Sequence, residues 1–215
     1  QLVEIALVTA FRLAGYRPVI LTDYDRWMEA YYCEIGVQEH LYWDDCFRHV
    51  PMAEAVHLMA SIGSFEQLIK TDYCGARVGK YAASTVLRHL RVGRLDLSDR
   101  TVRDALLPFL HRAMCYAKTA EGIVETLRPQ LVLSVDTGYS PRGELFDLCL
   151  AAGIDTITWN AAHRNNQLML KRYSRGNREV HPASLSASTR SELQAQPWTE
   201  ADRNLPRRAS GGSYT

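Results

Sequence analysis

The chain has 215 residues, with 25 Lys and Arg against 24 Asp and Glu, a net charge of +1, and 47% hydrophobic and 23% charged content. That balance excludes a chain disordered throughout, because it supplies enough apolar surface for a core, and it creates no global positive field to gather nucleic acid or an anionic membrane. No apolar run approaches the ~20 residues that span a bilayer, and no basic-then-apolar leader opens the chain, so a cytoplasmic protein is expected.

The five cysteines, at 33, 46, 74, 115 and 149, are odd in number and show no C-x-x-C spacing. Neither a disulfide framework nor a zinc knuckle is indicated, which fits a reducing compartment. The histidines likewise lack a ligand spacing such as H-E-x-x-H, so no metal is expected.

The chain opens on Gln1-Leu2-Val3-Glu4, without a methionine and already at helical spacing. It reads as a fragment whose first strand lies upstream. Leu2, Ile5, Ala6, Thr9, Ala10 and Leu13 form one helical stripe, Gly15 is placed to end it, and Pro18 to Thr22 follows as a buried strand. Asp25 to Glu34 predicts a second helix stopped by Gly36, and Val37 to Trp43 a second strand ended by Asp44-Asp45. Tyr31, Tyr32, Tyr42 and Trp43 are expected as core and edge aromatics.

From Met52 to about Val92 the pattern predicts short helices on a sheet, with Ser64 and Gln67 as a capping box. Apolar residues from Val102 to Leu127 recur at three and four, the strongest helix signal in the chain, with Pro108 as a kink or as its true first turn. Pro129 closes that helix. Leu131 to Val135 then reads as a central parallel strand covered on both faces. A helix from about Pro141 to Ala152, a stop at Gly153 and the strand Asp155 to Trp159 complete a βαβ unit. Beyond Asn160 the pattern loosens: a strand over Gln167 to Lys171, a loop from Ser174 to Pro182, and short helices capped at Thr189 and Thr199.

The loop Asp136-Thr137-Gly138-Tyr139-Ser140-Pro141-Arg142-Gly143 carries the strongest functional signal. Ligands of open parallel sheets bind at the carboxyl ends of strands, where loops meet helix N-termini with unpaired N–H groups. Ser140 reads as an N-cap and Pro141 as a first helical residue. Gly138 and Gly143 would let backbone approach a ligand, and Arg142 would supply counter-charge. The same residues would serve equally as a plain capped helix with Arg142 and Glu144 in solvent. Asp136-Thr137-Gly138 also matches three residues of the aspartic-protease signature, but those enzymes are β-rich and need two copies of the loop, whereas here one copy leads into a helix. The second candidate is the polar segment Asn160 to Asn166, on the same edge of the sheet. There His163 could act as a general base, with Arg164, Asn165 and Asn166 binding hydroxyl or phosphate oxygens. No G-x-G-x-x-G or P-loop is present.

The helix and strand Ala6-Leu7-Val8-Thr9-Ala10-Phe11-Arg12-Leu13-Ala14-Gly15-Tyr16-Arg17-Pro18-Val19-Ile20-Leu21, the helix start Tyr139-Ser140-Pro141-Arg142-Gly143 and the segment Asp155 to Arg164 together resemble the N-terminal half of GT-B glycosyltransferases, especially those that build bacterial surface or capsular polysaccharide. Tyr16 stands where that family usually has histidine, and its first strand and glycine loop are absent. The resemblance covers residues 2 to 170. It implies an α/β fold with a Rossmann-like parallel sheet flanked by helices, an acceptor-side domain over 1–172, and a loop-rich segment over 173–215 leading to a further domain that holds the nucleotide-sugar donor. It further implies sugar transfer to the hydroxyl of a saccharide or glycolipid acceptor, peripheral membrane association, no cofactor, and inactivity of this chain alone. Asp136 and His163 are the candidate catalytic bases, and Gly138, Tyr139, Ser140, Arg142, Arg164, Asn165 and Asn166 the candidate substrate contacts. Two other readings stand beside it: a non-catalytic α/β binding module, and a different α/β enzyme acting on sugar nucleotides.

Overall fold

The structure, a computed structural model, describes residues 2–23, 26–162 and 167–197. The chain divides into two units at residue 178, and each is described by itself over its described residues. The first holds helices α1 (Leu2–Leu13), α2 (Arg26–Glu34), α3 (Trp43–Cys46), α4 (Met52–Ala60), α5 (Phe65–Lys70), α6 (Val78–Leu90), α7 (Arg100–Leu127) and α8 (Arg142–Ala151). Its strands are β1 (Val19–Thr22), β2 (Glu39–Tyr42), β3 (Leu131–Ser134), β4 (Asp155–Ala161) and β5 (Leu168–Tyr173). The second holds α9 (Ala187–Ala195). There Ser186, not Thr189, is the N-cap, its hydroxyl accepting from the Thr189 N–H. The helix start expected at Thr199 lies outside the described residues.

The fold is mixed α/β, but its strands form two small sheets rather than one. β1 and β2 pair in parallel. β3 pairs with β4 in parallel, and β5 closes the second sheet antiparallel to β4. β3 ends in register at Ser134 opposite Thr158, so the last three residues of β4, Trp159, Asn160 and Ala161, pair only with β5. The polar loop expected from Asn160 is thus strand for two residues more than its composition suggests.

Several expected boundaries shift for local reasons. Gly36 and Gly153 stop α2 and α8 with φ of +80° and +72°, a conformation that carries no Cβ penalty in glycine. Asp44 and Asp45 do not end β2; they form the first turn of α3, where carboxylates suit the helix dipole. Pro108 is neither the first turn of α7 nor its end. The helix begins behind Asp99, whose carboxylate accepts the Thr101 N–H, and runs through the proline to Arg128, which takes a left-handed conformation at its C-cap. Ser64 caps α5 as expected, while the Gln67 side chain reaches back to the Gly63 N–H.

The main core is helix on helix, not helix on sheet. α7 packs against α3, α4, α6 and α8, and α5 packs on α6. Leu68, Val78, Val86, Leu106, Leu110 and Met114 lie within it, each 0–1% exposed. Burying each of these stabilises the fold by roughly 1.5–3 kcal/mol. β3, expected to be covered on both faces, is only half-buried along its length, because among the described residues it pairs on one side alone and α8 packs against it. A smaller cluster fixes α8 to β5: Phe146 and Tyr173 meet edge-to-face at 5.2 Å beside Leu150. Of the four aromatics, Tyr32 and Trp43 are buried at 6% and 3%, whereas Tyr31 is 51% exposed. Among the described residues no helix is long and apolar enough to cross a membrane.

Candidate functional site

β3 and β4 are parallel, so the loops that follow them leave from the same, carboxyl edge of their sheet. In the first of these loops Asp136 is exposed, and its Oδ1 accepts the Gly138 N–H at 2.8 Å, a turn that the short Asp side chain closes on its own backbone. The Gly138 amide is therefore spent on Asp136 rather than offered to a ligand. Tyr139 is 37% exposed, with the Arg88 guanidinium of α6 lying 5.4 Å from its ring centroid. Arg142 is exposed. His163, Arg164, Asn165 and Asn166 lie outside the described residues.

One expectation for this loop fails. Ser140 does not cap α8: Pro141 occupies the N-cap position without a side-chain cap, and the Ser140–Pro141 peptide is cis. The Ser140 hydroxyl donates instead to Glu144 Oε1. The Cα of Gly143 faces Tyr81 of α6, and its N–H donates to the Tyr139 carbonyl at 2.8 Å. A Cβ there would lie 2.2 Å from the Tyr81 ring, so the glycine exists to let α6 and α8 close on each other.

Between these two helices runs a polar seam. α8 is apolar on nearly every side, yet Glu144 and Asp147 sit in it at 0% and 1% exposure. Asp147 is fully satisfied by Arg77: Oδ2 accepts the Arg77 backbone N–H and Nε, both at 3.0 Å, and Oδ1 accepts Nη2 at 2.7 Å. Such a two-pronged pair is the geometry in which guanidinium and carboxylate bind best. Burial also holds the Tyr81 phenol well above its usual range, and the Asp147 charge beside it adds to the effect.

Glu144 is less well provided for. Its Oε1 has Ser140, but Oε2 is buried without a hydrogen-bond partner. Burial raises its pKa from 4.5 to about 8; the Ser140 hydroxyl opposes the rise and the charge of Asp147 adds to it. The carboxyl thus keeps its proton at neutral pH. Below pH 4.5 folded and unfolded chains both hold that proton, so it has no effect on their balance. Between 4.5 and about 8 the unfolded chain ionises first, so stability falls as pH rises, and above about 8 this group changes nothing more. Glu144→Gln removes the ionisation. The variant is expected to gain on the parent progressively from about pH 5 to about pH 8, by several kcal/mol at about 1.4 kcal/mol per pKa unit. Thermal melts of both proteins across that range test this, and parallel pH profiles would refute it.

A second cluster lies on α7 and the connection from α3 to α4. One nitrogen of His49, one of His111 and the Cys115 Sγ all fall within 4.8 Å of one another. Spacing along the sequence does not reveal this set because it is assembled from two segments, although His111 and Cys115 stand four apart on one helix face. Glu144 and Asp147 left a comparable trace, two acids three apart in an otherwise apolar helix.

No protein-family model, no curated protein and no solved structure matches this chain.

Proposed function

We propose that this chain is the acceptor-side part of a GT-B glycosyltransferase, moving a sugar from a nucleotide-sugar donor to an acceptor hydroxyl in polysaccharide or glycoconjugate synthesis. The observation that carries the reading is the parallel β3–α8–β4 unit, whose two following loops leave the same sheet edge. In doubly wound sheets that edge is where ligands bind. The strand order supports it as well. One further strand between β1 and β3 would join the parallel pair β2-β1 and the sheet β3-β4-β5 into a single sheet of the doubly wound, Rossmann-like order.

Within this reading Asp136 is the candidate base, exposed at the strand end where an acceptor hydroxyl can reach it, and His163 is the other. Tyr139, stiffened by Arg88, offers a ring face to a sugar, and Arg142 offers charge to a phosphate-bearing acceptor. Glu144 stays behind the loop as a neutral group that positions Ser140. The donor sits on a further domain, and the setting is cytoplasmic with peripheral access to membrane-borne acceptors.

The test is an NMR titration of the 215-residue chain with a panel of oligosaccharides and sugar nucleotides. Saturable shifts centred on the amides of residues 136–140 and 142 are expected. In the intact enzyme, Asp136→Asn should lower kcat by about 10²–10⁴-fold with KM little changed, the loss typical of a missing general base. An absence of saturable shifts across the panel would overturn the proposal in favour of an interaction module. Turnover by the 215-residue chain alone would overturn it in favour of a self-contained α/β enzyme.

A further inference from the structure

The segment between α3 and α4 is strapped to α7 by three hydrogen bonds. The Arg48 N–H donates to Thr119 Oγ1 at 2.8 Å, the Val50 N–H donates to Cys115 Sγ at 3.4 Å, and His111 Nε2 contacts the Val50 carbonyl at 2.6 Å. His49 sits between the two pinned residues, so its backbone is fixed from both sides. Its ring meets that of His111 edge-to-face at 5.4 Å. One nitrogen of each ring and the Cys115 Sγ lie within 4.8 Å of one another, near enough for a single ion to gather all three. These three side chains border an open cavity of about 430 Å³, whose other walls are Phe47, Pro108, Phe109 and Arg112.

From this geometry we propose a divalent metal site of the Zn²⁺ class, held by His49, His111 and Cys115, with the fourth position open to the cavity. It goes beyond the proposed glycosyl transfer and does not depend on it. The ligand set decides the metal: one thiolate and two imidazoles suit Zn²⁺ and its spectroscopic substitute Co²⁺, and leave hard cations such as Mg²⁺ without the oxygen donors they require. The surroundings are those of a metal site. A carbonyl can only accept, so the Val50 oxygen holds the Nε2 proton of His111 and leaves Nδ1 as the lone-pair nitrogen; a backbone carbonyl is one of the usual outer partners of a ligating histidine. The Val50 N–H donates to the sulfur, an outer hydrogen bond that orients it. Binding releases the thiol proton to solvent, and a hydroxide or other singly charged anion in the fourth position makes the centre neutral. That neutrality lets Arg112 border the same cavity, as a donor to the anion.

Zn²⁺ titration of the chelator-treated 215-residue chain by calorimetry should give one site. Co²⁺ should give the intense visible bands of a tetrahedral ion together with a sulfur-to-cobalt charge-transfer band, and Mg²⁺ should give nothing. His49→Ala changes an exposed side chain and leaves the fold intact, so it keeps the test valid should Cys115→Ser perturb the core. Each is expected to weaken Zn²⁺ binding by at least about tenfold, since loss even of an outer partner costs that much. Cys115→Ser should also abolish the charge-transfer band. Absence of saturable Zn²⁺ binding, or binding unchanged in both variants, overturns the site.

Discussion

Asp147→Ala is expected to lower folding stability by about 3–5 kcal/mol, because it leaves a buried guanidinium without its carboxylate. The side chains of Arg77 and Asp147 are 9% and 0% exposed, and the pair stands at the start of α6, where it also satisfies the Arg77 backbone N–H. Removing the acid therefore strands a charge and an amide together. Against a total stability of ~5–15 kcal/mol for a domain, that is a fifth or more. The pair itself need not be strongly stabilising. Replacing both partners by apolar residues of similar volume, Arg77→Met with Asp147→Leu, should recover most of the loss, since the large penalty belongs to the widowed charge. Urea denaturation of the two proteins decides the matter. A loss below about 1 kcal/mol for Asp147→Ala would mean that water reaches Arg77 and that the seam is not sealed.

Gly79→Ala is expected to destabilise the fold strongly for the addition of a single methyl. A Cβ at 79 would stand 1.9 Å from the Leu68 carbonyl oxygen and 2.9 Å from the Thr71 Cβ. The obstacle is backbone, and it is tied down: Leu68 N–H bonds to Ser64 O and Thr71 N–H to Leu68 O. No rotamer change relieves the contact, so α5 must lift from α6. That opens the packing of Leu68 and Val78, both fully buried. Alanine's better helix propensity returns at most ~1 kcal/mol, whereas overpacking costs ~1–3 kcal/mol and partial exposure of a buried leucine adds to it. A net loss of about 2–4 kcal/mol follows from those terms. Gly93→Ala is the control, because nothing lies within 4 Å of its Cβ. Equal denaturation midpoints for the two variants would refute the close approach.

What the sequence disclosed and what it hid divide along the range of the interactions. Helices with a clean apolar stripe, such as α7, and stops at Gly36 and Gly153 were legible because period and backbone chirality are local properties. β3, β4 and the turn at Asp136 were legible for the same reason. The depth of Glu144 was not. It follows a polar loop, one position past a glycine, and looks solvated; only the arrival of α6, with Tyr81 over Gly143 and Arg77 on Asp147, makes that face of α8 interior. Ser140 was misjudged in consequence, for its hydroxyl had a nearer claimant in Glu144 than the helix amides. The histidine and cysteine cluster was hidden because His49 and His111 are 62 positions apart in sequence and meet only through the strap on α7. Placing the small helices on a sheet was wrong for a related reason: α7 is long enough to serve as their common wall, and periodicity does not say which neighbour an apolar stripe will find.

The unequal lengths of β3 and β4 give the candidate edge a shape. β4 continues for three residues past the last pair it makes with β3, and at about 3.3 Å per residue the ribbon it forms with β5 stands roughly 10 Å above the point where the Asp136 loop departs. The edge is therefore a ledge with a riser on one side, not a level rim. The riser is two-stranded and hydrogen-bonded to its top, with Leu168 and Leu170 of β5 at 38% and 58% exposure. A flat ligand laid over Asp136 would therefore abut that ribbon along one flank.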